Sequence, residues 1–241
     1  MRAILTYHSI DDSGSVISVS PDRFAGHVEW LASAAVKVVS VADLLGADDG
    51  ADAVAITFDD AFENFATRAW PLLRDARLPA TMFVPTGFVG RTNEWDIMPG
   101  GAMPRLGLMD WATLERLVGE GLELGAHTRS HPDLRALDAG ALHDEIAGAV
   151  EDIARETGRR ATGFAYPYGY HDARVVDAVR NACAWACTTR LSPVKGREDP
   201  YRLPRLDAYF LRGPGRLDRF RSPSFAWYMS LRAGIRRARR R

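Results

Sequence analysis

Short apolar or β-branched runs alternate with amphipathic helix patterns almost from the first residue, and this rhythm leaves few folds open to the chain. The runs predict strands over residues 2–7, 37–40, 53–58, 80–85, 122–126, 162–166 and 185–188. Helix signals lie between them. Ser20-Pro21 supplies an N-cap and a first-turn proline ahead of Phe24, Val28 and Leu31. Asp110 caps WATLERLVGEG, in which Leu114, Leu117 and Val118 share a face. Leu142, Ile146, Val150 and Ile153 mark a further helix, ended by Thr157-Gly158. Alternation of this kind calls for a mainly parallel sheet with right-handed crossovers. About seven such units predict a barrel rather than an open doubly wound sheet. No glycine-rich phosphate loop follows any strand, which argues against nucleotide binding. Residues 86–109 form a long connection, and long connections in compact domains often carry function.

Composition narrows the class. With 241 residues, 46% hydrophobic and 26% charged, the chain has the make-up of a soluble enzyme with a substantial core. No window of eighteen apolar residues predicts a membrane span, and MRAILTYHSIDD lacks a signal-peptide core, so the expected location is cytoplasmic. Cys183 and Cys187 have no second pair and read as buried reduced thiols, not as a metal site or a disulfide. The zero net charge hides an asymmetry, because residues 201–241 hold twelve Arg against two Asp. Residues 1–221 read as a catalytic domain and residues 222–241 as an aromatic, Arg-rich helix or tail. One reading of that tail is a solvated basic helix. The other is a membrane-surface anchor, with Phe225, Trp227, Tyr228, Met229, Leu231 and Ile235 meeting the interface beside six Arg facing anionic lipid. That second reading places the protein at the inner face of a membrane. No stacking or groove-reading module accompanies the basic run, so no nucleic-acid partner is expected.

The polar residues fall at strand ends. His8 follows RAILTY, Asp59 and Asp60 follow VAITF, His127 follows LELGA, and Tyr168 follows TGFAY. In a parallel barrel these ends share one face, the face on which such folds build active sites. HTRSH, residues 127–131, places two imidazoles at i and i+4, which point the same way if the turn is helical. Two His and one carboxylate suffice for a catalytic metal with an open position for water, whose pKa a bound cation lowers from ~16 toward ~7. Of two adjacent carboxylates, one can ligate the metal while its neighbour accepts the proton of that water. An Asp-Asp pair alone is commonly a helix cap, and an HxxxH pair alone arises by chance on helices. Together, at the ends of separate strands, they point to a metal-dependent site.

At these residues the chain resembles the polysaccharide deacetylase (NodB-homology) family of metal-dependent carbohydrate esterases. The matching motifs are TFDD at 57–60, HTRSH at 127–131 as H-[ST]-x-x-H, and AYPYG at 165–169. The resemblance implies a distorted (β/α)7-type barrel, and removal of an N-acetyl group from an N-acetylhexosamine in a polysaccharide or lipid-linked saccharide. It assigns Asp59 as general base. It makes Asp60, His127 and His131 the ligands of a divalent metal, zinc first, with nickel, cobalt or ferrous iron as alternatives. It gives the backbone N–H of Tyr168 to the oxyanion.

Two departures stand out. The Arg that opens the family's third motif is Ala165 here, and no His follows His171 to supply the late catalytic acid. LTYHSI, however, resembles the opening of the circularly permuted branch typified by poly-N-acetylglucosamine deacetylases, in which the acid comes from the first strand. His8 inherits that role, and Arg205 in RLPRLDA is expected to replace the missing Arg. Trp95, Tyr170 and Pro167 are expected to contact the sugar, because flat aromatic faces suit the apolar faces of sugar rings. Trp111 follows a helix cap and is expected in the core. Alternatives are a sugar deformylase, an O-acetyl esterase, or a non-catalytic sugar-binding domain, for which the missing third-motif Arg argues. An Fe(II) oxygenase also uses two His and a carboxylate, but its β-sandwich pattern is lacking in the sequence.

Overall fold

The runs RAILTY and AVAITF are buried at every residue, as strands covered on both faces of a parallel sheet must be. The structure, a computed structural model, describes residues 1–33, 35–48, 50–96, 103–196 and 198–238. In chain order the strands are β1 (Arg2–Tyr7), β2 (Ser9–Ile10), β3 (Ser18–Val19), β4 (Lys37–Val38), β5 (Ala53–Phe58), β6 (Ala80–Val84), β7 (Glu123–Ala126), β8 (Gly163–Ala165), β9 (Trp185–Cys187) and β10 (Leu206–Asp207). The helices are α1 (Pro21–Ala32), α2 (Val41–Gly46), α3 (Trp70–Asp75), α4 (Trp111–Gly119), α5 (Ala139–Thr157), α6 (Ala173–Ala182) and α7 (Pro223–Ala238). Local chemistry sets several of their ends. Asp110 accepts the N–H of Thr113 to start α4, and Gly158, at φ 65°, ends α5.

The main sheet runs β10–β1–β5–β6–β7–β8–β9, all parallel. It curls back on itself. Cys187 of β9 bridges Leu203, and the Thr188 N–H donates to the Leu203 carbonyl at 2.8 Å, just ahead of β10. The distorted seven-position barrel is as expected, but its membership differs. Residues 37–38 lie off the ring, because β4 pairs only with Ala53 and Val54 before β6 takes that edge of β5 at Ile56. The seventh position belongs instead to Leu206–Asp207, which pairs with Leu5 and Thr6.

Side chains alternate across each strand, so each strand contributes to two packed layers. Val54, Ile56 and Phe58 join the layer beneath the helices, while Ala53 and Ala55 join Ile4, Phe83, Trp185 and Leu203 inside the barrel. A Cβ on Gly163 would lie 2.2 Å from the Trp185 ring, so a glycine is required there for the indole to fill the interior. Phe83 packs against Trp185 edge to face at 5.8 Å. Together they form the apolar floor on which the polar rim stands. Both cysteines are buried and free, and burial pushes their thiols up to about 12.

Helix α7 is seated on this body. Phe225 and Met229 are buried, and the Tyr228 hydroxyl donates to the Phe210 carbonyl at 3.1 Å. Three of the six residues expected to meet a membrane are therefore taken up by the protein, and only Trp227, Leu231 and Ile235 remain exposed. This geometry gives the membrane reading no support. Residues 239–241 of the basic run lie outside the described residues. Among the described residues no helix is long and apolar enough to cross a membrane.

Candidate active site

The inward line of β5, Ala55 and Thr57, continues past the strand end to Asp59. The inward line of β1, Ile4 and Thr6, continues to His8. Arg205, at the entry to β10, meets Asp59 as a bidentate pair, Nη1 donating to Oδ1 at 2.6 Å and Nη2 to Oδ2 at 2.7 Å. Its Nη1 also donates to Thr57 Oγ1 at 3.3 Å and its Nε to the Thr188 carbonyl at 3.1 Å. The guanidinium lies 5.6 Å from the Phe83 ring centroid, and Arg205 is 1% exposed. Burial by itself would raise the Asp59 carboxyl. The Arg205 guanidinium, with His8 behind it, instead holds it well below the usual carboxylate range. His8 Nε2 stands 3.7 Å from Asp59 Oδ2, with part of its ring in solvent.

Asp60 turns the other way. Its Oδ1 lies 3.5 Å from His127 Nε2 and 3.8 Å from His131 Nε2, and one ligand atom from each of the three residues falls within 4.8 Å of the others. All three residues are buried. His127 Nδ1 sits 2.7 Å from the Ala165 carbonyl, a bond that puts the proton on Nδ1 and leaves a lone pair on Nε2. Burial pulls His127 down to about 4 and His131 well below its ordinary value, with His127 adding to the effect. Near neutral pH the imidazoles carry no charge, so the unprotonated His127 Nε2 faces a carboxylate oxygen, acceptor against acceptor. A divalent cation completes such a donor set, and a pair of imidazoles with one carboxylate and an open side suits zinc and its neighbours.

The two imidazoles do not converge through a helical turn. HTRSH is an irregular loop in which Thr128 and His131 adopt φ 68° and 57°. Thr128 Oγ1 accepts the His131 N–H at 2.9 Å. Glu145 of α5 accepts the N–H groups of Arg129 and Ser130, both at 2.8 Å. Arg129 itself is pinned to Asp152 at 2.8 and 3.0 Å. Nothing in the sequence signals this clamp, since Glu145 and Asp152 read only as polar positions of an amphipathic helix. Among the described residues, five of the six non-glycine positions with positive φ are Asp60, Ala61, Thr128, His131 and Tyr168. Each such residue costs on the order of 1–3 kcal/mol and persists where surrounding bonds over-determine it.

Tyr168, at φ 57°, occupies the turn after β8, where Thr189 Oγ1 donates to its carbonyl at 3.1 Å. Gly169 follows at φ 75°, and a Cβ there would stand 2.0 Å from Thr189 Oγ1, so no other residue fits. The Tyr168 ring stands edge-on to His131 at 4.7 Å. Asp59, Asp60, His8, His127, His131, Tyr168, Tyr170 and Arg205 all line one cleft of about 690 Å³. Two expected sugar contacts lie elsewhere. Pro167 is buried in the turn, and Trp95 is wedged between Phe88 at 4.8 Å and His131 at 4.9 Å. Tyr170 lines the cleft, but Arg135 covers its ring at 4.2 Å. Trp111 is partly buried and packs against the core. The cleft mouth adds Val16, Tyr209, Phe210 and Arg232, from a loop, a short 3-10 turn and α7. None of these carried a motif.

Comparison with known proteins agrees with this architecture. Residues 46–184 match the family model described as Polysaccharide deacetylase, a range that includes His127, His131, Asp59 and Asp60 but not His8 or Arg205. The poly-beta-1,6-N-acetyl-D-glucosamine N-deacetylase of Staphylococcus epidermidis is 25% identical over 206 residues, spanning 78% of this chain and 67% of that protein. The structure of IcaB from Ammonifex degensii shares the fold with a TM-score of 0.74 at 23% identity, over 94% of this chain and 96% of that one. The Streptococcus pyogenes deacetylase PplD, solved in complex with acetate, gives 0.72 at 20% identity, over 86% and 91%.

Proposed function

The chain belongs to the polysaccharide deacetylase family, and from that premise we propose that it is a metal-dependent hydrolase that removes the acetyl group from an N-acetylhexosamine of a saccharide. The observation that carries the proposal is the meeting of three buried acceptors, Asp60, His127 and His131, beside the Asp59–Arg205 pair at one end of the barrel. A divalent cation held by these three, zinc foremost, would supply Lewis acidity, polarising the acetamide carbonyl and bringing the pKa of an attacking water from ~16 toward ~7.

The chain's own residues divide the remaining work. Arg205 keeps Asp59 ionised, so each turnover begins with a proton acceptor facing the cleft. Asp59 takes the proton of the water that attacks the carbonyl carbon. The tetrahedral oxygen that results meets the backbone N–H of Tyr168, which the left-handed turn before Gly169 orients. His8, within 3.7 Å of Asp59, delivers a proton to the departing amine, and acetate and a free amino sugar leave.

The test is acetate release from N-acetylglucosamine oligomers by protein loaded with zinc, nickel or cobalt, against the same protein treated with chelator. Release that requires the metal is the expected result. Absence of release with every metal would leave the deacetylase reading without a reaction.

A further inference from the structure

Resting on the deacetylase reading, we propose that α7 gives the cleft a subsite for an anionic group, a phosphoryl or carboxylate carried by the substrate, with Arg232 as its specificity-determining residue. Three residues of α7, Arg232, Ile235 and Arg236, line the same cleft as Asp60, His127 and His131. A helix that reads in sequence as a C-terminal appendage is therefore a wall of the site.

The two arginines are placed differently. Arg236 is closed on Asp207, Nη1 to Oδ2 at 3.5 Å. Arg232 rests on an aromatic shelf instead, its guanidinium 5.3 Å from the Tyr228 ring and 5.8 Å from the Phe210 ring. Cation–π contact of this kind draws the guanidinium to the rings while leaving its N–H groups for a ligand. The shelf is itself fixed by the Tyr228–Phe210 hydrogen bond of 3.1 Å. Inside the cleft, Arg205 is spent on Asp59, so Arg232 is the guanidinium at the mouth that faces no carboxylate among the described residues. A neutral saccharide has no use for that charge. A sugar phosphate or a uronate-bearing oligosaccharide does, since either matches the donor fork.

The experiment separates this subsite from the deacetylase reading. Binding to zinc-loaded Asp59→Asn protein is measured by calorimetry for N-acetylglucosamine 1-phosphate, a hyaluronan tetrasaccharide and the neutral methyl glycoside of N-acetylglucosamine. At least one anionic probe should bind about fivefold more tightly than the neutral one, and added salt should weaken that preference. Arg232→Ala should abolish the preference and Arg232→Lys restore part of it. Arg232 is exposed, so neither change threatens folding. Which of the two anionic probes is preferred assigns the group as phosphoryl or carboxylate. Equal binding of all three probes overturns the proposal, as does a preference that survives Arg232→Ala, which would place the anion on the metal. A preference that depends on Arg232, without acetate release by the wild-type protein, would sink the deacetylase reading and leave the subsite standing.

Discussion

Replacing Arg205 by Met tests the pair on which the site is built. The change keeps an apolar stem but removes a guanidinium that is 1% exposed and makes two bonds to Asp59, one to Thr57 and one to the Thr188 carbonyl. Asp59, 3% exposed, would be left with the His8 ring, 3.7 Å away, as its neighbour. Removing one member of a buried pair costs about 3–5 kcal/mol, because the remaining charge stays desolvated. The sign of the pH dependence follows. In the wild type the folded Asp59 pKa lies below the unfolded value, so the pair's contribution is complete above about pH 4 and is lost as pH falls further. In Arg205→Met, burial loses its main opponent and raises that pKa. The folded chain then keeps a proton that the unfolded chain releases, and stability falls as pH rises. Urea unfolding in chelator, followed by tryptophan fluorescence, should therefore show a deficit against wild type of about 3 kcal/mol or more at pH 8 and a smaller one at pH 5. Asp59→Asn combined with Arg205→Met should recover part of the loss. A deficit under about 1 kcal/mol with no pH dependence would refute the reasoning.

Asp59→Asn should lower acetate release by about 10²–10⁴-fold while elemental analysis still finds the metal, since Asp60, His127 and His131 are untouched. His131→Ala should lose the bound metal, and retention of a full equivalent would remove His131 from the ligand set. Metal-free wild type should lose stability as pH falls from 6.5 toward 4, because the unfolded chain takes up protons that the buried imidazoles refuse. For His127, pulled down to about 4, the slope approaches about 1.4 kcal/mol per pH unit, readable from urea midpoints. Gly169→Ala should destabilise the turn by on the order of 1–3 kcal/mol and displace the Tyr168 N–H, so thermal unfolding and turnover should fall together.

The rhythm of elements and its punctuation are legible in the residues alone. Strand runs such as RAILTY and AVAITF are buried on both faces, so their apolar continuity is visible over six residues each. Parallel pairing then dictates that the polar residues after them, His8, Asp59, Asp60, His127 and Tyr168, share a rim. Tertiary structure decided the rest. β10 is two residues long, too short to show any period, and it enters the barrel only because the curling sheet returns to β1. The Asp59–Arg205 pair joins residues 146 apart, a separation no local pattern encodes. The histidines converge through a left-handed loop clamped by Glu145 from α5, whereas i, i+4 spacing aligns them only where the turn is helical. Helix α7 reads as a tail because its arginines dominate the composition, yet Phe225 and Met229 fold it onto the body and set Arg232 at the cleft. Periodicity reports which side of an element is dry over one or two turns. Which element lies opposite is set by closure of the barrel, a property of the whole chain.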